Sequence, residues 1–226
     1  MNRNKKSKTS ALRPRLLAAA FGLGLLAACG GTPTRYYTLA EGAPAAQAQR
    51  STADSAALAI ELAPVALPER FARPQLVVRR GGGGGALGLR GGSEAEVEVL
   101  EQSRWSSSFE YELRDALASG IAGRLSAFDA TKSGRPRGIP VYRIAVQLRE
   151  FDAQPDARVD SAFGWSIRRG DGDALLTCQL RLSESVANGV DGVAAGAQRV
   201  TGRLADEIAR NVSALAANRP ARCPAA

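Results

Sequence analysis

Covalent chemistry in this chain could come from three cysteines, Cys29, Cys178 and Cys223. A thiol can take a lipid group, ligate a metal or pair in a disulfide, and its surroundings decide which. There is no histidine, which removes Ser-His-Asp and Cys-His nucleophilic systems and most zinc sites. C-x-x-C pairs, Walker motifs and the G-x-S-x-G elbow are also missing from the sequence. A carboxylate pair could serve a glycosidase, but 22 acids offer many pairs without meaning, and no enzyme activity is expected. The glycine-rich segment 81–92 lacks the Gly-Lys-Ser/Thr of a phosphate loop and precedes a strand pattern, so it reads as a flexible hairpin insertion. Asp156 and the run Gly170-Asp171-Gly172-Asp173 do not reach the D-x-D-x-D-G-x5-E spacing of a calcium loop; turn chemistry accounts for them. Neither a metal nor a cofactor is expected.

The surroundings of Cys29 are the informative ones. The first 15 residues hold Arg3, Lys5, Lys6, Lys8, Arg13 and Arg15 and no acid, and Leu16 to Ala28 then runs 13 residues without a charge. This is a basic region followed by an apolar region of signal-peptide length, too short for the roughly 20 residues of a spanning helix. Its end, Leu26-Ala27-Ala28-Cys29, resembles the lipobox of bacterial lipoprotein signal peptides, where small residues admit the peptidase and the thiol takes a diacylglyceryl group. On that reading residues 1–28 are a signal peptide, Cys29 begins the mature chain with diacylglyceryl and N-acyl lipid attached, and 29–34 form an anchor segment. An ordinary secretory signal or an uncleaved N-terminal anchor is the alternative. Each buried methylene contributes about 0.8 kcal/mol, and two or more acyl chains hold stably. Gly30, in place of the aspartate that commonly retains such proteins at the inner membrane, favours the periplasmic leaflet of the outer membrane in a Gram-negative cell.

Removing 28 residues also changes the charge. The full chain carries a net charge of +8, but six of its 30 basic residues and none of its 22 acids lie in the signal, so the mature chain is close to +2. Nucleic acid is not an expected partner, since no basic cluster interleaved with aromatics remains. The 198 residues left of 226 fit one domain with a real core. Cys178 and Cys223 would lie in an oxidising compartment. A bridge between them would close a loop of about 45 residues, contributing roughly 4 kcal/mol on the chain-entropy model; a buried free Cys178 and a loose Cys223 is the other reading.

The elements that would position these groups follow from periodicity. Arg35–Leu39 reads as a short strand, 40–57 as a loop or linker, and Ala59–Val65 and Gln75–Arg79 as strands separated by a proline-rich link. Phe71 in that link is either a contact surface or a staple that packs the loop. Glu94–Glu101 reads as a strand with a charged face. Ser106, Ser107 and Ser108 offer N-caps to a helix in which Phe109, Leu113, Leu117, Ile121 and Leu125 recur every four residues. After a loop at 131–140, the runs Val141–Phe151, Val159–Arg168 and Leu175–Val186 alternate as an antiparallel meander. Val193, Ala197, Val200, Leu204, Ile208, Val212 and Leu215 predict a second long amphipathic helix, and 218–226 a tail. The fold class expected is α+β: one domain over 35–217, a mostly antiparallel sheet packed against two long amphipathic helices.

The order of features resembles the PqiC-type (YmbA-like) ABC-transport auxiliary lipoproteins. The resemblance rests on the lipobox, Tyr36-Tyr37-Thr38-Leu39, Pro64-Val65-Ala66-Leu67-Pro68, and Arg73-Pro74-Gln75-Leu76-Val77-Val78-Arg79. It continues with Arg104-Trp105 opening the first helix, Ala162-Phe163-Gly164-Trp165, and Leu204-Ala205-Asp206-Glu207-Ile208-Ala209. The glycine-rich insertion and the serines after Trp105 depart from it. The resemblance implies an outer-membrane lipoprotein that works with an inner-membrane transporter and its periplasmic MCE-domain protein in moving lipid between membranes, by docking and without catalysis. Self-association into a homo-oligomer is compatible with it. Arg73, Phe71, Arg104 and Trp105 are conceivable contact residues, Trp105 being better suited to the core. A lipid-binding carrier with its own apolar pocket is the competing reading.

Overall fold

The computed structural model describes residues 32–40, 56–80, 95–170 and 172–225. The stretch 1–28 expected to be a signal peptide, Cys29, most of the 40–57 linker, the glycine-rich segment 81–92 and Asp171 lie outside the described residues. In chain order the elements are β1 (Arg35–Tyr37), β2 (Ala59–Leu62), β3 (Gln75–Arg79), β4 (Val97–Trp105), α1 (Phe109–Leu125), β5 (Phe128–Asp129), β6 (Val141–Gln154), β7 (Arg158–Arg169), β8 (Ala174–Ser185) and α2 (Gly189–Ala216). They belong to one folded unit that begins at Thr34; residues 1–33 are a separate unit, of which only Thr32 and Pro33 are described.

Alternation in β6 puts Tyr142, Ile144, Val146 and Leu148 inside and Ala145, Gln147 and Arg149 outside. The turns after β6 and β7 place Asp156 and Gly170 at positive φ, a region open to glycine and tolerated by aspartate. β6, β7 and β8 pair antiparallel, as the alternation predicts. The sheet continues on the other side in the order β5-β2-β6, and there the pairing is parallel. A second sheet runs β1-β4-β3, parallel between β1 and β4 and antiparallel between β3 and β4. The architecture is thus α+β with mixed sheets. Strands joined by tight turns are antiparallel, whereas those separated by α1 or a long link are free to run parallel, which needs a crossover.

Both helices bury the stripes that periodicity assigns them: Phe109, Leu113, Leu117 and Ile121 of α1, and Val193, Ala197, Val200, Leu204, Ile208 and Val212 of α2. α1 ends where Ser126 turns left-handed and its N–H bonds the carbonyls of Ala122 and Gly123. α2 lies close on the meander at Gly196, where a Cβ would come within 2.5 Å of Val186 Cγ1 and 3.1 Å of Val159 Cγ2.

One boundary differs from expectation. Arg104 and Trp105 do not open a helix; they end β4, and α1 begins at Phe109. The reason is backbone pairing on both sides: the Trp105 N–H bonds the Pro74 carbonyl at 2.7 Å, and the Ser106 N–H bonds the Tyr37 carbonyl at 2.7 Å. Sheet bonds hold the chain extended past Glu101, where the sequence reading ended the strand.

Candidate functional site

The segment that enters the folded body is bound more extensively than its length suggests. β1 has only three residues, too few for a ladder alone to hold, yet side chains from both helices reach the segment 35–40 that contains it. Thr34 Oγ1 donates to Gln102 Oε1 at 2.7 Å. At the N-terminus of α2, Asp191 accepts from Arg35 Nη2 at 2.8 Å and from the Tyr37 hydroxyl at 2.7 Å, a place where the helix dipole favours a negative charge. Further along α2, Gln198 Nε2 donates to the carbonyls of Thr38 at 2.8 Å and Ala40 at 3.2 Å. Leu39 is inserted into the core.

The centre of this clamp is Glu112, in the first turn of α1 and only 8% exposed. Its carboxylate accepts from Thr38 Oγ1 at 2.9 Å, from the buried Leu39 N–H at 3.0 Å, from Ser107 Oγ at 3.2 Å and from Ser106 Oγ. Burial pushes this carboxyl up, but the bonds from Ser106, Leu39, Thr38 and Ser107 together outweigh it and hold it below the usual range. Arg35 and then Tyr37 likewise hold Asp191 low. Ser106 and Ser107 therefore serve a side chain of the helix, while Ser108, the residue before its first turn, makes no side-chain cap bond.

Behind the clamp, Phe71, Trp105, Phe109 and Phe151 stack together with ring centroids 5.2 to 6.2 Å apart. Aromatic rings at such separations attract beyond their area burial. The space left among Phe71, Leu76, Trp105, Phe109, Phe151 and Val193 is about 10 Å³, room for one water at most. Phe71 and Trp105 are 5% and 3% exposed, so neither offers a contact surface and Phe71 is the staple. Arg73 is exposed, and Arg104 is partly exposed with its Nε bonded to the Glu101 carbonyl at 2.8 Å.

At the other end of the chain, Cys178 of β8 and Cys223 are joined in a disulfide with Cα atoms 5.3 Å apart. Asn211 of α2 accepts from the buried Trp165 indole N–H at 3.2 Å and donates to the Arg222 carbonyl at 2.9 Å. The tail is thus fastened twice. No three His, Cys, Asp or Glu side chains gather as a metal site among the described residues. No helix among them is long and apolar enough to cross a membrane.

The clamp was not found by sequence reasoning, although one signal pointed to it. Glu112 stands between Phe109 and Leu113 on the apolar stripe of α1, and an acid there must be buried with partners.

Fold and site together describe an α+β module with a closely packed aromatic cluster, held at the segment by which its chain enters. The family model for the ABC-type transport auxiliary lipoprotein component matches residues 37–209, from β1 into α2. The chain belongs to this family of transport-system lipoproteins. Among solved structures, an uncharacterized protein superimposes with a TM-score of 0.59 at 15% identity, covering 80% of this chain and 99% of its own. A Xanthomonas campestris protein of the family designated DUF330 superimposes with a TM-score of 0.53 at 13% identity, covering 81% and 95%. At such identities the likeness is one of fold. No curated protein matches the chain by sequence.

Proposed function

We propose that the chain is anchored by diacylglyceryl and N-acyl lipid on Cys29 in the periplasmic leaflet of the outer membrane. There it docks the periplasmic MCE-domain protein of an inner-membrane ABC-type lipid transporter, supporting envelope integrity without catalysis. The observation that supports docking over carrying is the packing among the described residues: about 10 Å³ lies within the aromatic cluster, and the hollow of about 420 Å³ beside the C-terminal tail is an open groove lined by Glu207, Arg210, Asn211 and Arg222, whereas a lipid site needs an apolar cavity of several hundred cubic ångströms. A carrier needs a container, and a docking piece needs a rigid body with a firm attachment. The clamp supplies the second requirement by tying the entering segment 35–40 to both helices.

The test is crosslinking of the lipidated protein in native envelopes, with co-extracted lipid analysed alongside. Docking predicts recovery of an MCE-domain protein without stoichiometric lipid. About one lipid per chain and no transporter component would overturn it in favour of the carrier.

A further inference from the structure

We infer that the outer face of the β6–β7–β8 meander is the surface on which the transport protein docks, and that the partner brings acidic side chains to Arg143 and Arg168; this rests on the docking proposed above. The strand registers lay that face out row by row. Ile144, Val146 and Leu148 are buried against the helices, so the alternate residues of β6 and their partners in β7 and β8 face away from them. Two rows occupy the middle of this outer face: Ala145, Ser166 and Thr177, then Gln147, Gly164 and Gln179. None of the six is buried, and none is aromatic or a large aliphatic. A Cβ at Gly164 would meet only ordinary contacts, the Cys178 carbonyl oxygen at 3.8 Å and Arg149 Cδ at 3.9 Å. The fold itself therefore does not require glycine there, whereas a bare strand position suits the close approach of another backbone.

Charge selects the occupant, because the two ends of the face differ. Toward the β6–β7 turn the arginines are met: Arg181 pairs with Glu150 at 2.7 Å, Arg158 pairs with Asp160 at 2.5 Å, and Arg149 donates to Gln179 at 2.7 Å. At the other end Arg143 and Arg168 stand directly opposite each other in the antiparallel register, where like charges destabilise the pair. The row continues to Glu61 of β2. That carboxylate is held by Arg135 at 2.6 Å and lies 3.9 Å from Arg143. Arg168 is exposed, and among the described residues its side chain makes no ion pair or hydrogen bond, not even with Asp173 in the turn after β7. Two guanidinium groups set against each other fit a carboxylate arriving from outside, which each can bind through paired N–H donors. From Gly164 to Arg168 is four strand steps, about 13 Å. An acidic segment of a few residues spans that distance, its backbone on the bare rows and its acids on the arginines.

The test uses the full lipidated chain in native envelopes, with p-benzoylphenylalanine placed singly at position 147 and, for comparison, at position 119, where Ser119 is exposed on α1 across the sheet. The expected result is a photo-crosslink to the MCE-domain protein from 147 and not from 119. Arg168→Glu should lower its yield at least about tenfold, since like charges then meet across the interface, and Arg168→Lys should lower it less. The same Arg168→Glu turns the like pair with Arg143 into an opposite one, so its urea midpoint should hold or rise. A midpoint that falls would make Arg168 a structural residue and overturn the assignment. Crosslinking from 119 alone, or a yield at 147 unchanged by Arg168→Glu, would overturn this surface and leave docking standing. A crosslink from 147 to a second copy of this chain or to lipid would give the face to that occupant and refute the partner named here. Failure at both positions overturns the surface alone if chemical crosslinking still recovers the MCE-domain protein, and docking with it if that too fails.

Discussion

Replacing Glu112 by alanine tests the clamp most directly. The substitution removes one acceptor on which four donors converge. The donors do not suffer equally. The Leu39 N–H is buried and has no route to water, so stranding it costs about 1–3 kcal/mol. Ser106 is exposed and its hydroxyl can turn to solvent, while Thr38 and Ser107 lose charge-assisted bonds worth together about 1–3 kcal/mol. Relief of the burial of a carboxylate offsets part of this. The net expectation is a loss of about 3 kcal/mol for Glu112→Ala. Glu112→Gln keeps the volume and one acceptor oxygen and should lose about half as much. Urea unfolding of a Cys29→Ser chain, followed by the fluorescence of the buried Trp105 and Trp165, measures both. Hydrogen exchange should locate the effect, with residues 34–40 losing protection before the meander does. If Glu112→Ala unfolds within about 0.5 kcal/mol of the parent, or 34–40 keep their protection, the clamp reasoning is wrong.

The same carboxylate gives a pH dependence of fixed sign. Its folded pKa lies below the ordinary value of 4.5. Its contribution is therefore complete above that value and is lost as pH falls through the lower folded value. Glu112→Gln should flatten this part of the acid limb, read as urea midpoints against pH.

Four further outcomes follow from the packing. Cys223→Ser opens the loop closed by a sequence separation of 45 and should cost about 4 kcal/mol on the chain-entropy model; a urea midpoint unchanged from the oxidised parent would refute that model here. Asn211→Leu strands the buried Trp165 N–H and should cost about 1–3 kcal/mol, with a change in tryptophan emission and faster proteolysis of the tail as its signature. Gly192→Ala places a Cβ 1.6 Å from the Ala187 carbonyl oxygen, so backbone must move and thermal stability should fall. Gly123→Ala, whose Cβ meets nothing within 4 Å, should instead raise it by about 0.5–1 kcal/mol.

What was legible before the structure was whatever depends on local spacing. Phe109, Leu113, Leu117 and Ile121 every four residues, and Tyr142, Ile144, Val146 and Leu148 every two, announce their faces because helix and strand periods differ. Alternation does not name a neighbour, however. Ala59–Leu62 shows that one face is buried, but nothing in it says that the strand lies parallel between β5 and β6. The clamp was hidden for the same reason. The position of Glu112 announces a buried acid, but its partner Thr38 is 74 residues away. Trp105 was misplaced because three serines after it resemble a helix start, while the bonds that keep it in β4 come from Pro74 and Tyr37.

The clamp also bears on how a tethered body could resist a pull. Under the proposed anchoring, force from a docked partner reaches the body through Thr34 and β1, which pairs parallel with β4. Three pairs in a ladder are still few, and the side-chain bonds spread the load further. Asp191 and Gln198 pass it to α2, and Glu112 passes it to α1. The helices are in turn joined to each other by Arg124 and Asp206, and Glu184 ties α2 to β8 through Arg203 at 2.7 Å and Arg199 at 3.3 Å. A strand that short makes mechanical sense only if such cross-links carry what its own ladder cannot. That is why the bonds most worth breaking are those of Glu112, which join the entering chain to a helix it does not pair with.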